Sequence, residues 1–200
     1  MTKDSSPLPG RAHARIAVLF PGVGYTCDKP LLYYAAKLAR ALGYEVLPVP
    51  YGHFPKGVKG DAEKMRLVFD SAFSQAEALL ADVDWNACGE VAFIGKSIGT
   101  AVAARYAREK GLRVKSVLLT PLAETFACLD GDAIAFHGTA DPWADTAEIT
   151  RLCAAHGVPL HLTPGANHSL ETGDIDADLD ALARTMAAVR GFLGGREDRP

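Results

Sequence analysis

Apolar residues along this chain gather in short runs, and between the runs their spacing widens to one apolar stripe per helical turn. Ile16-Ala-Val-Leu-Phe20, closed by Pro21-Gly22, reads as a strand buried on both faces. Pro30 opens a helical pattern, PLLYYAAKLARAL, that stops at Gly43. Residues 44–50 (YEVLPVP) read as a second strand, which its prolines place at a sheet edge or strand end. The longest helical pattern covers residues 61–83; Asp61 is placed to cap it, with Lys64 where a capping box would want Glu. Val91-Ala-Phe-Ile94 is a third strand, followed by Gly95-Lys-Ser-Ile-Gly99 and a helix, TAVAARYAREKG. Residues 114–119 and 133–136 read as strands four and five, and His137-Gly-Thr-Ala-Asp141-Pro follows the fifth. A helix over 147–155 stops at His156-Gly157. Residues 159–162 are a sixth strand, Pro164-Gly-Ala-Asn-His168 follows, and 174–192 form the last helix.

Alternation of strand and helix predicts a three-layer α/β/α sandwich with a mostly parallel sheet of about six strands. No segment repeats, which excludes solenoids and propellers. Polar tails at 1–14 and 194–200 leave one domain over 15–193. In such a sheet ligands bind beyond the carboxyl ends of the strands. The residues just after each apolar run are therefore the ones to read for chemistry.

Composition narrows the classes. At 200 residues, 48% hydrophobic and 22% charged, the chain is an ordinary globular domain, neither disordered, coiled-coil nor collagen-like. Net charge is −3 with scattered basic residues, so nothing points to a nucleic-acid partner. Cys27, Cys88, Cys128 and Cys153 are spaced 61, 40 and 25 apart, which forms no zinc-ligand pair and fits a reducing compartment. The N-terminus has no signal-peptide core, and no apolar run nears the roughly 18 residues of a membrane helix. A cytoplasmic protein without a membrane partner is expected, and its oligomeric state stays open.

Three loops carry chemistry. Gly95-Lys96-Ser97-Ile98-Gly99 lies between a strand and a helix. A sharp turn there lifts the serine hydroxyl clear of the sheet and aims the following N–H, at a helix N-terminus, toward a developing oxyanion. The plain alternative is a serine that merely caps the helix. A phosphate loop would need glycine at position 90, where Glu90 stands. Lys96 then reads as a solvated or helix-packing residue. In the second loop Asp141 can receive a histidine N–H and fix its tautomer; a turn-forming Asp-Pro is the plain reading, and Asp145 is the rival acid. In the third, His168 can serve as general base and later general acid. His13, His53, His137, His156 and His161 are weaker candidates, in the tail, a surface loop, a strand end, a helix end and a strand.

The order Ser97, Asp141, His168, each after a successive apolar run, is the serine–acid–histidine order of the α/β-hydrolase fold. Through Phe93-Ile-Gly-Lys-Ser-Ile-Gly-Thr100, Phe136-His-Gly-Thr-Ala-Asp141 and Gly165-Ala-Asn-His168, the sequence resembles small α/β-hydrolases of the dienelactone-hydrolase-like or short esterase kind. That resemblance implies Ser97 as nucleophile, His168 as base and Asp141 as acid. It also implies an oxyanion hole of the Ile98 N–H with Val23, or Gly24 beside it, from the loop after the first strand. Many relatives carry His-Gly there; this chain has Pro21-Gly22. Only Pro121 to Asp132 separate the strands between which larger relatives insert a lid, so a minimal, lidless fold with an open site is expected. Tyr25 and Trp143 are candidate pocket walls, and Phe126 reads better as core. The implied activity is a cofactor-independent, metal-free serine hydrolase, foremost a carboxylesterase, on a small ester-like molecule. A thioesterase, acyltransferase or small peptidase would use the same residues. A binding protein with a vestigial triad is the non-enzymatic alternative.

Overall fold

Strand β1 (Ala14–Phe20), helix α1 (Pro30–Ala41), β2 (Tyr44–Pro48), α2 (Ala62–Leu79), β3 (Cys88–Lys96) and α3 (Ile98–Glu109) form the first half of the molecule. Then follow β4 (Lys115–Leu119), β5 (Ala133–Gly138), α4 (Thr146–Ala155), β6 (Leu160–Thr163) and α5 (Ile175–Gly194). The computed structural model describes residues 14–195 except 55, 56, 59 and 60. His13 and nearly all of both sequence tails lie outside the described residues.

All six strands run parallel in the order β2-β1-β3-β4-β5-β6. Crossover helices cover both faces, so the central strands are apolar on both sides; Ala17, Val18 and Phe20 of β1 are fully buried. One face packs alternate residues of β1, β3, β4 and β5 on α1 and α5. The other packs the intervening residues on α2 and α3, with α4 against β4 and β5. This is the three-layer sandwich expected.

Strand β3 begins at Cys88, three residues before the apolar run, because Glu90 pairs with Arg15 of β1. No apolar pattern marks that stretch; the strand is held there by charge. Short 3₁₀ turns at Trp85–Ala87 and Ala123–Ala127 also had no signal. The second is all that stands where larger folds place a lid.

Position follows from strand order. The chain leaves β1 toward β2 on one side, then crosses to β3 on the other. The loops after β1 and β3 therefore diverge and leave a crevice between them, at the switch point where open α/β sheets hold ligands.

Candidate active site

Ser97 sits between β3 and α3 with φ 57° and ψ −127°, a region costly for a residue with a side chain. Two glycines make the turn possible. A Cβ on Gly99 would come 2.1 Å from the Phe20 carbonyl oxygen, and one on Gly95 would come 2.7 Å from Thr100 Cα. Gly99 thus lets helix α3 press against the end of β1, and Gly95 lets it close onto the end of β3. The Thr100 hydroxyl donates to the Ser97 carbonyl at 2.6 Å and shares a second 2.6 Å bond with Thr125. Ser97 makes no capping bond with its side chain, so its hydroxyl is left for another partner.

That partner is His168, whose Nε2 lies 2.7 Å from Ser97 Oγ. On the other edge of the ring, Nδ1 is 2.6 Å from Asp141 Oδ2. A carboxylate only accepts, so Nδ1 carries the proton and Nε2 accepts from the serine hydroxyl. Asp141 Oδ1 takes the Trp143 N–H at 2.8 Å, and the carboxylate is fully buried. Asp145 instead caps α4, accepting the Glu148 N–H at 2.8 Å. Position relative to the helix thus separates the two candidate acids.

Across the crevice, the loop after β1 turns tightly. Gly22 and Tyr25 exchange hydrogen bonds of 3.0 and 3.2 Å, with Gly24 at φ 70° between them. The N–H groups of Val23, Gly24 and Ile98 take no part in the hydrogen bonds among the described residues. The Tyr51 hydroxyl donates to the Pro21 carbonyl and ties the loop to the segment after β2. A cavity of 220 Å³ joins these parts, lined by Val23, Tyr25, Lys96, Ser97, Ile98, Trp143 and His168 among others. Trp143 also lies over the His168 ring, with centroids 5.8 Å apart. An adjoining groove of 810 Å³ runs past Val23 and Trp143 along Tyr51, His53 and Phe54.

Burial sets the electrostatics. It pushes the His168 imidazole below its usual range, against the pull of Asp141, and the Lys96 charge pushes the same way. For Asp141 burial acts upward, but the bonds from His168 and the Trp143 N–H prevail and hold the carboxyl low. His168 is thus neutral and Asp141 ionised near neutral pH. His137, wholly buried, shares a 3.0 Å hydrogen bond between Nε2 and Thr146 Oγ1 and has Nδ1 3.7 Å from Asp141 Oδ2. Burial lowers its pKa as well, so it backs the aspartate as a neutral ring.

Tyr25 and Trp143 both line the cavity, whereas Phe126 is buried between the sheet and α4. His53 is an exposed residue of the larger groove. His156 packs edge-on to Phe126, and His161 stacks on Phe136 at the β6 edge. Lys96 departs from expectation. It is not solvated but 2% exposed, with Nζ 4.8 Å from the centre of the Tyr25 ring. A lysine between a buried strand and a nucleophile turn has no sequence signature of burial, because its stem can be covered only by a loop from elsewhere.

The six-stranded parallel sheet and the helices that flank it superpose on solved structures over nearly the whole chain. The protein has the α/β-hydrolase fold. An α/β serine hydrolase homologue from Coxiella burnetii superposes with a TM-score of 0.65 at 15% identity, covering 88% of this chain and 83% of that one. An esterase from Pyrococcus furiosus gives 0.67 at 15% identity, covering 92% and 83%. A lidless α/β serine hydrolase from Xanthomonas campestris gives 0.56 at 18% identity, covering 92% and 85%. No family model matches the sequence, and no curated protein is similar to it in sequence. Among the described residues of this α/β-hydrolase fold, no helix is long and apolar enough to cross a membrane.

Proposed function

We propose that this protein is a serine hydrolase that cleaves small carboxylic esters through an acyl-enzyme. The observation that carries the reading is the unbroken line of short hydrogen bonds from Ser97 through His168 to Asp141, anchored on three different loops at one end of the sheet. Ser97 Oγ attacks the carbonyl carbon while His168 Nε2 removes its proton. Asp141 keeps the proton on Nδ1 and stabilises the imidazolium that forms. The Ile98 N–H and the Val23 N–H, with Gly24 beside it, receive the oxyanion of the tetrahedral intermediate. Collapse expels the alcohol, protonated by His168. Water activated by His168 then opens the acyl-serine and regenerates the hydroxyl. Tyr25 and Trp143 bound the substrate, and no metal or organic cofactor enters a step.

Ester rather than amide substrate is favoured by the open approach: Trp143 at the rim is 38% exposed, and among the described residues no lid domain excludes solvent. Labelling with a fluorophosphonate probe tests the reading. The wild type should label, Ser97→Ala and His168→Ala should not, and short-chain nitrophenyl esters should be turned over by the wild type alone. A well-folded wild type that neither labels nor hydrolyses any ester of the panel would overturn it.

A further inference from the structure

The chemistry above leaves Lys96 without a task, although it is the residue next to the nucleophile. Its stem passes beneath the loop after β1, where a Cβ on Gly22 would lie 3.4 Å from Lys96 Cδ. Its ammonium ends over the face of Tyr25, and the residue lines the 220 Å³ cavity together with Ser97, Ile98 and His168. No carboxylate of the described residues comes within the 4.0 Å of an ion pair. Buried ammonium groups are ordinarily paired, because an uncompensated charge in a dry interior is costly. An aromatic face offsets only part of that cost. Here the counter-charge is left to something that enters the cavity.

We propose that Lys96 is the specificity-determining residue of the site, its ammonium receiving a carboxylate carried on the acyl chain of the substrate. This rests on the serine-hydrolase reading above. Geometry selects the acyl half over the leaving group. The carbonyl must lie against Ser97, Ile98 and Val23, all of which share the small cavity with Lys96. The larger groove is lined by Tyr51 and Phe54 but not by Lys96, and it offers room for the alcohol. Four ionisable groups face the ammonium. Tyr25 lies under it, while Asp141 of the β5 loop, Glu171 of the loop before α5 and His168 act on it from beyond ion-pair distance. Burial lowers the lysine pKa to about 7, with Asp141 and Glu171 pulling it back upward. The tyrosine, itself pushed up to about 12, stays neutral. The lysine is therefore charged below about pH 7 and neutral above it.

The test compares the 4-nitrophenyl monoester of glutarate with 4-nitrophenyl pentanoate, which puts a methyl where the carboxylate was, after subtraction of uncatalysed hydrolysis. Wild type at pH 6 should favour the anionic ester by at least about tenfold in kcat/KM, chiefly through KM. The preference should fall toward parity by pH 8.5. Both esters need the same neutral His168, so their ratio cancels its titration. In Lys96→Met the ratio should drop to one or below at both pH values. A wild-type ratio near one at pH 6 overturns the proposal. So does a preference that survives in Lys96→Met, or one that appears only when the carboxylate is moved to the leaving group, as in 3-carboxyphenyl pentanoate. If the variant does not fold, the wild-type ratio and its pH dependence decide alone. Fluorophosphonate labelling runs in parallel. A labelled wild type without preference sinks the role of Lys96 only, whereas an unlabelled, folded wild type sinks the hydrolase reading beneath it.

Discussion

The two ends of the sheet handle charge in opposite ways. At the amino end, Glu90 takes Arg15 at 2.8 Å, Lys115 at 2.6 Å and the Tyr44 hydroxyl at 2.7 Å. Arg15 and Tyr44 also reach the Leu193 carbonyl at 3.2 Å, where cations meet the negative end of α5. Arg15, Glu90 and Lys115 are thus all paired, and the cluster ties four strands to the last helix. At the carboxyl end Lys96 has no counter-ion, and the buried Thr120 Oγ1 and His137 Nδ1 have no hydrogen-bond partner among the described residues. Ser97, Thr120 and Leu170 sit there at positive φ. Strain and unsatisfied polar groups gathered at one end of an otherwise satisfied fold mark where stability has been given up for chemistry. One end holds the sheet together, and the other is held ready.

Breaking that division should separate activity from stability. Asp141→Asn should lower ester turnover by about 10⁴-fold, because the amide favours the wrong histidine tautomer, while unfolding by circular dichroism changes little. Glu90→Ala should do the reverse. It strands Arg15 and Lys115 together and should cost about 2 kcal/mol, seen as a fall of several degrees in Tm, with kcat/KM unchanged below the transition. A pH titration sharpens the contrast. Catalysis needs neutral His168, whose pKa lies below its ordinary 6.5, so turnover should persist at slightly acid pH and be lost as pH falls through the lowered value. For Glu90 burial acts upward but the bonds from Lys115, Tyr44 and Arg15 prevail, so its folded pKa is depressed below 4.5. Its stabilising contribution is full above 4.5 and is lost only as pH falls through the folded value. Activity and circular dichroism on the same samples should therefore show turnover lost with His168 and stability lost with Glu90, each below its group's ordinary value. The smallest effect is expected from Asp145→Ala, about 1 kcal/mol through the lost α4 cap with turnover intact; a large loss of turnover there would make Asp145 the acid instead.

Much of this was legible in the residues. The apolar runs located all six strands: the four central ones are buried on both faces and cannot hide their composition, while the partly exposed β2 and β6 kept enough of the pattern at the sheet edges. The Gly-x-Ser-x-Gly turn and the order of Asp141 and His168 were readable, since each lies just after such a run. Glu90 was not readable as strand, because its place depends on Arg15, 75 residues earlier in the chain. Local sequence favoured Asp141 over Asp145 only because it lies nearer the strand end, since either could sit near a histidine or begin a helix.

The sequence by itself determined the class of fold and the three side chains that could form a catalytic line, because strand burial and turn chemistry are local properties. Only the tertiary structure decided strand order, the crevice between the loops after β1 and β3, and the fate of Lys96. A long, flexible ammonium is exposed or buried according to what closes over it, and here that cover comes from Gly22 and Tyr25, more than seventy residues away along the chain.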